Sequence, residues 1–320
     1  MWEVPETSQK VVRKSHFVSI DSVSLSHFVK TLVDKEVTIP PWDTSCHYEG
    51  DAKDVVTYIL VLDTLNFCFW PAAGAARWEI EYHANHLSGY YGLAAALKKA
   101  LAAGIPLTDA DYLSDLSVDK LNTTLSGHGS LQLMDARVRN LNELGRIIHA
   151  HYHGEAWRLL DDAHGSALAL TRILADRLTS FRDVARYGEE TVYFYKRAQI
   201  VAADLFGAFA GTGWGRFADI DQLTAFADYK LPQVLRHLGI IVYAPELAHS
   251  VDSLRLLDPG SPEEIEIRAN TIWAVELIRR QLRSEGKDLK AHEIDWILWN
   301  KGQEDAYRAK PYHRTKTIFY

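Results

Sequence analysis

The chain has 320 residues, 47% of them hydrophobic and 24% charged, enough to bury a large core in one domain or two close ones. Lysine and arginine number 35 against 42 aspartate and glutamate, a formal net charge of −7. That balance argues against a surface built to grip polymeric nucleic acid, although one or two local cations suffice for a phosphate monoester. The cysteines Cys46 and Cys68 have no CxxC spacing and read as reduced thiols. The stretch 1–16 carries charges and no apolar signal-type run. The longest apolar run, 58–71, is interrupted by Asp63, Thr64 and Asn66. A cytoplasmic protein with no membrane span is expected.

In chain order, the pattern predicts a mainly α fold with a few short strands. Residues 58–62 are apolar throughout and fit a strand or a buried helix. Residues 77–82 alternate apolar and polar, a strand signal. Residues 88–103 read as a helix stopped at Gly104. His149, His151, His153 and Glu155 alternate as on one strand face. Their spacing matches no common zinc pattern, so a polar surface segment is preferred and no metal is expected. Residues 159–178 and 193–209 continue as long helices, and the glycine-rich 211–215 reads as a loop. Pro232 disfavours helix at Leu231, which predicts a helix ending near Asp228 and a second one from Pro232 to Gly239. Ser261-Pro262-Glu263-Glu264 opens a helix to about Leu282, apolar on more than one face and therefore deep in the core. A last helix covers 290–300, and 317–320 reads as a strand. No repeat or linker divides the chain, so 1–320 is read as a single unit with room for two lobes around a central cleft.

Four segments place polar groups where a packed core would not choose them. Asp63 and Asn66 lie three apart in an apolar stretch, where burial costs roughly 1–3 kcal/mol for each unsatisfied group. They fit a helix cap, or a pocket wall with Phe67 and Trp70 as stacking surfaces. Lys196 shares a helical stripe with Gln199 among aromatic neighbours, and either snorkels to water or meets an anion. Asp228 at its expected turn is exposed, or projects into a cleft. In the last helix, Asp295 with Trp299 and Trp296 with Asn300 are i,i+4 pairs, fitting a planar base with N–H donors or an ordinary core edge.

Together these segments resemble the queuosine salvage family. The resemblance is carried by LDTLNFCFWP (62–71), YKRAQ (195–199), LTAFADYKLPQ (223–233), EIEIRANTIWAVELI (264–278), DWILWN (295–300) and PYHRTKTIFY (311–320). It implies a mostly helical fold similar to helix-hairpin-helix DNA glycosylases, and release of the base queuine from queuosine 5′-monophosphate. It implies that Asp228, in the F-A-D-Y segment with Tyr229, is the catalytic carboxylate, with Phe226 beside the substrate. It matches His47 to a binding histidine, and Asp295 and Trp296 to a binding pair on the last helix. Asn300 stands where the family carries a second acidic residue.

Breaking a C1′–N bond builds positive charge on the ribose, which a fixed carboxylate stabilises or answers by deprotonating water. A 7-deazaguanine has no N7 to protonate, so its edge must be hydrogen-bonded instead, a role suited to Asp295. Phe67, Trp70, Phe226 and Trp296 are the candidate stacking surfaces. Lys196, with Lys230 or His47, is expected to neutralise the 5′-phosphate. The expected partner is this small nucleotide, with no cofactor. A DNA or RNA base glycosylase, and a non-catalytic binder of modified bases, are the alternatives.

Overall fold

The computed structural model describes residues 2–320; Met1, at the head of the charged N-terminal stretch, lies outside the described residues. Helix dominates, as the pattern predicts, and strands occur among the described residues as four two-stranded pairs. The chain divides into two compact units. The first takes residues up to Pro40, Asp183–Gln199 and Asp221–Thr317; the second takes Pro41–Arg182, Ile200–Ile220 and Ile318–Tyr320.

The first unit is organised on the helix Pro262–Ser284. Ser261 caps it, its hydroxyl accepting from Glu264 N–H at 3.3 Å, and proline follows at the first turn. Every residue from Glu264 to Val275 is buried, so this helix has no solvent face over three turns. Its apolar residues join Leu25, Phe28 and Val29 of helix Ser22–Val33 and Leu231, Val234 and Leu235 of helix Lys230–His237 in one core. Strand Val18–Ile20 pairs antiparallel with Ile241–Tyr243, and Val184–Tyr187 forms a hairpin with Glu190–Tyr193. The strand signal at the C-terminus is displaced. The pairing strand is Arg314–Thr315, parallel to Leu256–Leu257, and 317–320 is irregular.

Burial inside that helix forces its charges to find partners. The Glu266 carboxylate accepts from the backbone N–H groups of His16 (2.9 Å), Phe17 (2.6 Å) and Val18 (3.0 Å) and from the Tyr187 hydroxyl (2.7 Å). It thereby gathers the turn before the first strand. Glu266→Gln would aim an amide N–H₂ at donors and should cost about 1–3 kcal/mol in urea unfolding. An unchanged midpoint would refute the role.

In the second unit, 58–62 lies within helix Ala52–Leu65, capped by Asp51 and buried from Val55 to Leu65. The pattern was ambiguous because burial on all sides erases periodicity. The helix Gly89–Ala102 and strand Glu79–Tyr82, paired with Asn85–Ser88, follow the sequence reading. The expected long helix over 159–178 is two, Arg158–Asp162 and Ala167–Arg177. His164 and Gly165 have positive φ between them, and the Ser166 hydroxyl caps the second helix at Ala169 N–H. Asp219 pins the same corner, accepting from the Ser166 hydroxyl and Ala167 N–H, both at 2.6 Å. His149 and His151 end the helix Met134–Tyr152 and His153 is its left-handed cap, so the strand face imagined for them does not exist. Cys46 and Cys68 are buried and outside any disulfide, and burial pushes the Cys46 thiol up to about 12.

Candidate active site

The first unit assembles most of the sequence-predicted site around residues 224–228. This segment has no regular secondary structure, so each peptide group needs a partner from elsewhere. Thr224 N–H donates to Gln199 Oε1 at 2.9 Å, while Gln199 Nε2 donates back to Phe194 O. Phe226 N–H donates to Asp295 Oδ1 at 2.7 Å, and Ala227 O accepts from Arg268 Nε at 3.1 Å. Asp228 Oδ1 then accepts from Lys230 N–H (2.7 Å) and Leu231 N–H (2.9 Å).

This corrects the expected helix break. No helix ends near Asp228; the carboxylate instead opens the helix Lys230–His237, with Pro232 at its third residue. Proline is tolerated there because N–H groups in the first turn have no intrahelical acceptor in any case. Asp228 is thus buried and fixed by its own backbone rather than exposed at a turn.

The electrostatics separate the two carboxyls. Burial raises the Asp228 pKa, but Lys196 and the two backbone donors pull against that rise. Asp295 is pushed well above the usual carboxylate range, first by burial and further by the charge of Asp228, with Phe226 N–H and Lys196 opposing. Asp295 therefore holds a proton more readily, and Asp228 ionises first. Lys196, 5% exposed, serves both.

Around them, Phe226 is buried, and Tyr229 lies 4.8 Å from the Tyr312 ring. Lys230 Nζ donates to Gly302 O at 3.3 Å and lies over Tyr312. Trp296 is half-buried, and Asn300 donates its amide to Trp296 O at 2.8 Å, leaving its side-chain oxygen to act as an acceptor.

Reading the sequence missed a buried ion pair. Arg268 forks onto Asp183 at 2.9 and 2.6 Å, lies 3.5 Å from Glu264, and covers the Phe194 ring at 3.9 Å. The available signal was the spacing Glu264–Arg268, an i,i+4 pair inside an apolar helix, where isolated charges are not tolerated. Asp183 had no local signal.

The other predicted residues lie in the second unit. Asp63 Oδ1 accepts from Asn66 Nδ2 at 3.2 Å at the end of their helix. Phe67 is not an open stacking face: the Arg137 guanidinium covers it at 4.2 Å and donates to the carbonyls of Leu65, Phe67 (2.6 Å) and Cys68 (3.3 Å). Trp70 is buried, its carbonyl accepting from Gln132. His47 stacks on Trp42 at 3.8 Å and lies 3.0 Å from the Tyr58 hydroxyl. Burial lowers its pKa to about 3, which favours the neutral ring near pH 7.

The sequence model of the queuosine salvage protein family matches residues 46–320. The chain belongs to this family. A curated relative from Sphaerobacter thermophilus is 46% identical over 314 residues, covering 98% of this chain and 96% of the relative. One from Dictyostelium discoideum is 36% identical over 330 residues (99% and 98%), and one from Bos taurus 31% over 333 (98% of each). All three are named queuosine 5′-phosphate N-glycosylase/hydrolase. The resemblance read from the scattered motifs is therefore confirmed for the family, across nearly the whole chain. Among the described residues no helix is long and apolar enough to cross a membrane.

Proposed function

We propose that this chain hydrolyses the N-glycosidic bond of queuosine 5′-monophosphate, releasing queuine and ribose 5-phosphate. The observation that carries the reading is the pair of buried carboxyls with unequal proton affinities sharing one lysine. Such division separates a group that works ionised from one that works protonated. The names of the relatives support the substrate.

Asp228 acts ionised. As the C1′–N bond lengthens, its carboxylate stabilises the cationic ribose and takes a proton from the water that attacks C1′. The bonding electrons leave with the base. Asp295 offers its O–H to the base edge where negative charge grows and, once ionised, accepts from the N1–H and N2–H groups. Phe226 and Trp296 supply stacking faces. Lys196, with Lys230, meets the 5′-phosphate. In a site this buried, electrostatic interactions are worth more than in water.

The test is incubation with queuosine 5′-monophosphate, with mass spectrometry for free queuine and ribose 5-phosphate. Tight binding of queuine without turnover would instead make the chain a binding protein for modified bases. Salt-dependent duplex binding with base excision would indicate a nucleic-acid glycosylase.

A further inference from the structure

We infer that Asp183 and Arg268 form a positioning pair that fixes Asp228 against Lys196 for base release, an inference that rests on the function proposed above. Neither side chain is assigned to the substrate; their contacts go to the segments that carry the chemistry. Asp183 collects the start of the helix Lys196–Ala208. Its carbonyl accepts from Phe194 N–H (3.0 Å) and Tyr195 N–H (3.2 Å), and its carboxylate accepts from Lys196 N–H at 3.1 Å. Tyr195 is held there at φ 50, a conformation that a non-glycine residue keeps only when its surroundings enforce it.

Arg268 forks onto that same carboxylate through both terminal nitrogens and spends its third donor, Nε, on Ala227 O. Ala227 immediately precedes Asp228. One guanidinium therefore ties the residue before the carboxylate to the acid that holds Lys196 N–H. All three nitrogens of the planar fork are used, so lysine, with one compact ammonium, cannot reproduce the link. Phe194 under the guanidinium and Glu264 beside it fix the fork in place.

The test compares wild type, Arg268→Lys, the charge-neutral double variant Asp183→Asn/Arg268→Gln, and Glu266→Gln. Glu266 lies on the same helix, equally buried, but binds the 16–18 turn and the Tyr187 hydroxyl, with no hydrogen bond to Asp183, to Lys196 or to the 226–228 segment. Each protein is assayed for kcat and KM with queuosine 5′-monophosphate and for Tm. A misplacement of about 1 Å costs roughly 10²-fold in rate, so Arg268→Lys and the double variant should lose about that in kcat with KM little changed. Glu266→Gln should lower Tm yet keep its kcat. The double variant removes both charges of the Asp183–Arg268 pair together, at the cost of the Arg268–Glu264 contact, and gives the answer if Arg268→Lys fails to fold. Wild-type kcat in either folded variant overturns the inference alone, as does a kcat loss in Glu266→Gln proportional to its loss in Tm. Absence of base release by the wild-type chain overturns the proposed function, and this inference with it.

Discussion

Replacing Asp228 by asparagine should reduce base release by roughly 10³-fold or more in kcat while the chain stays folded. The variant keeps a side-chain oxygen for Lys230 N–H and Leu231 N–H, so the start of the helix Lys230–His237 is preserved. What it loses is the negative charge that the proposed mechanism sets against the ribose. Stability supplies a second signature. The folded-state pKa of Asp228 is raised, so the group favours folding below its unfolded value and loses that contribution as pH rises through the folded value. Asparagine has no such term. The stability of the variant relative to wild type should therefore increase with pH across that window, as urea unfolding at a series of pH values would show. A variant with normal turnover would remove Asp228 from the mechanism. A variant that unfolds at all pH values would make it structural.

The second large effect concerns Lys196. Its ammonium lowers the pKa of both buried carboxyls, so Lys196→Met should let Asp228 keep its proton to higher pH. The acid limb of the kcat/KM profile should move to higher pH, and activity near neutrality should fall by roughly 10²-fold. If Lys196 also meets the phosphate, wild type should cleave the nucleotide at least about 10²-fold better than the nucleoside, and the variant should lose that preference. The two roles separate cleanly. A shifted limb with equal losses on both substrates assigns Lys196 to the carboxyls alone. An unshifted limb with loss of nucleotide preference assigns it to the phosphate alone.

Individual site residues were legible in the sequence to different depths. Asp295 and Lys196 stood out because a charge among apolar neighbours needs a partner, and the structure supplies one for each. Asp228 was singled out as a candidate, but its local geometry was misread. The rule that proline repels helix at the preceding residue was outweighed by the carboxylate that caps Lys230 and Leu231. Phe67 and His47 were read as binding candidates, although aromatic and imidazole rings serve both cores and ligands. Only the structure shows Arg137 stacked over one, and burial that keeps the other neutral.

By itself, the sequence determined the mainly helical class, the central helix from Pro262, and the family, the last through motifs spread along the chain in order. Those are properties of local pattern, carried by residues near one another in the chain. Tertiary structure alone decided that burial pushes both carboxyls upward, how Asp228 is fixed, and that Asp183 and Arg268 meet across 85 residues of sequence. Burial and charge proximity set those outcomes, and both depend on segments that come together only when the chain has folded.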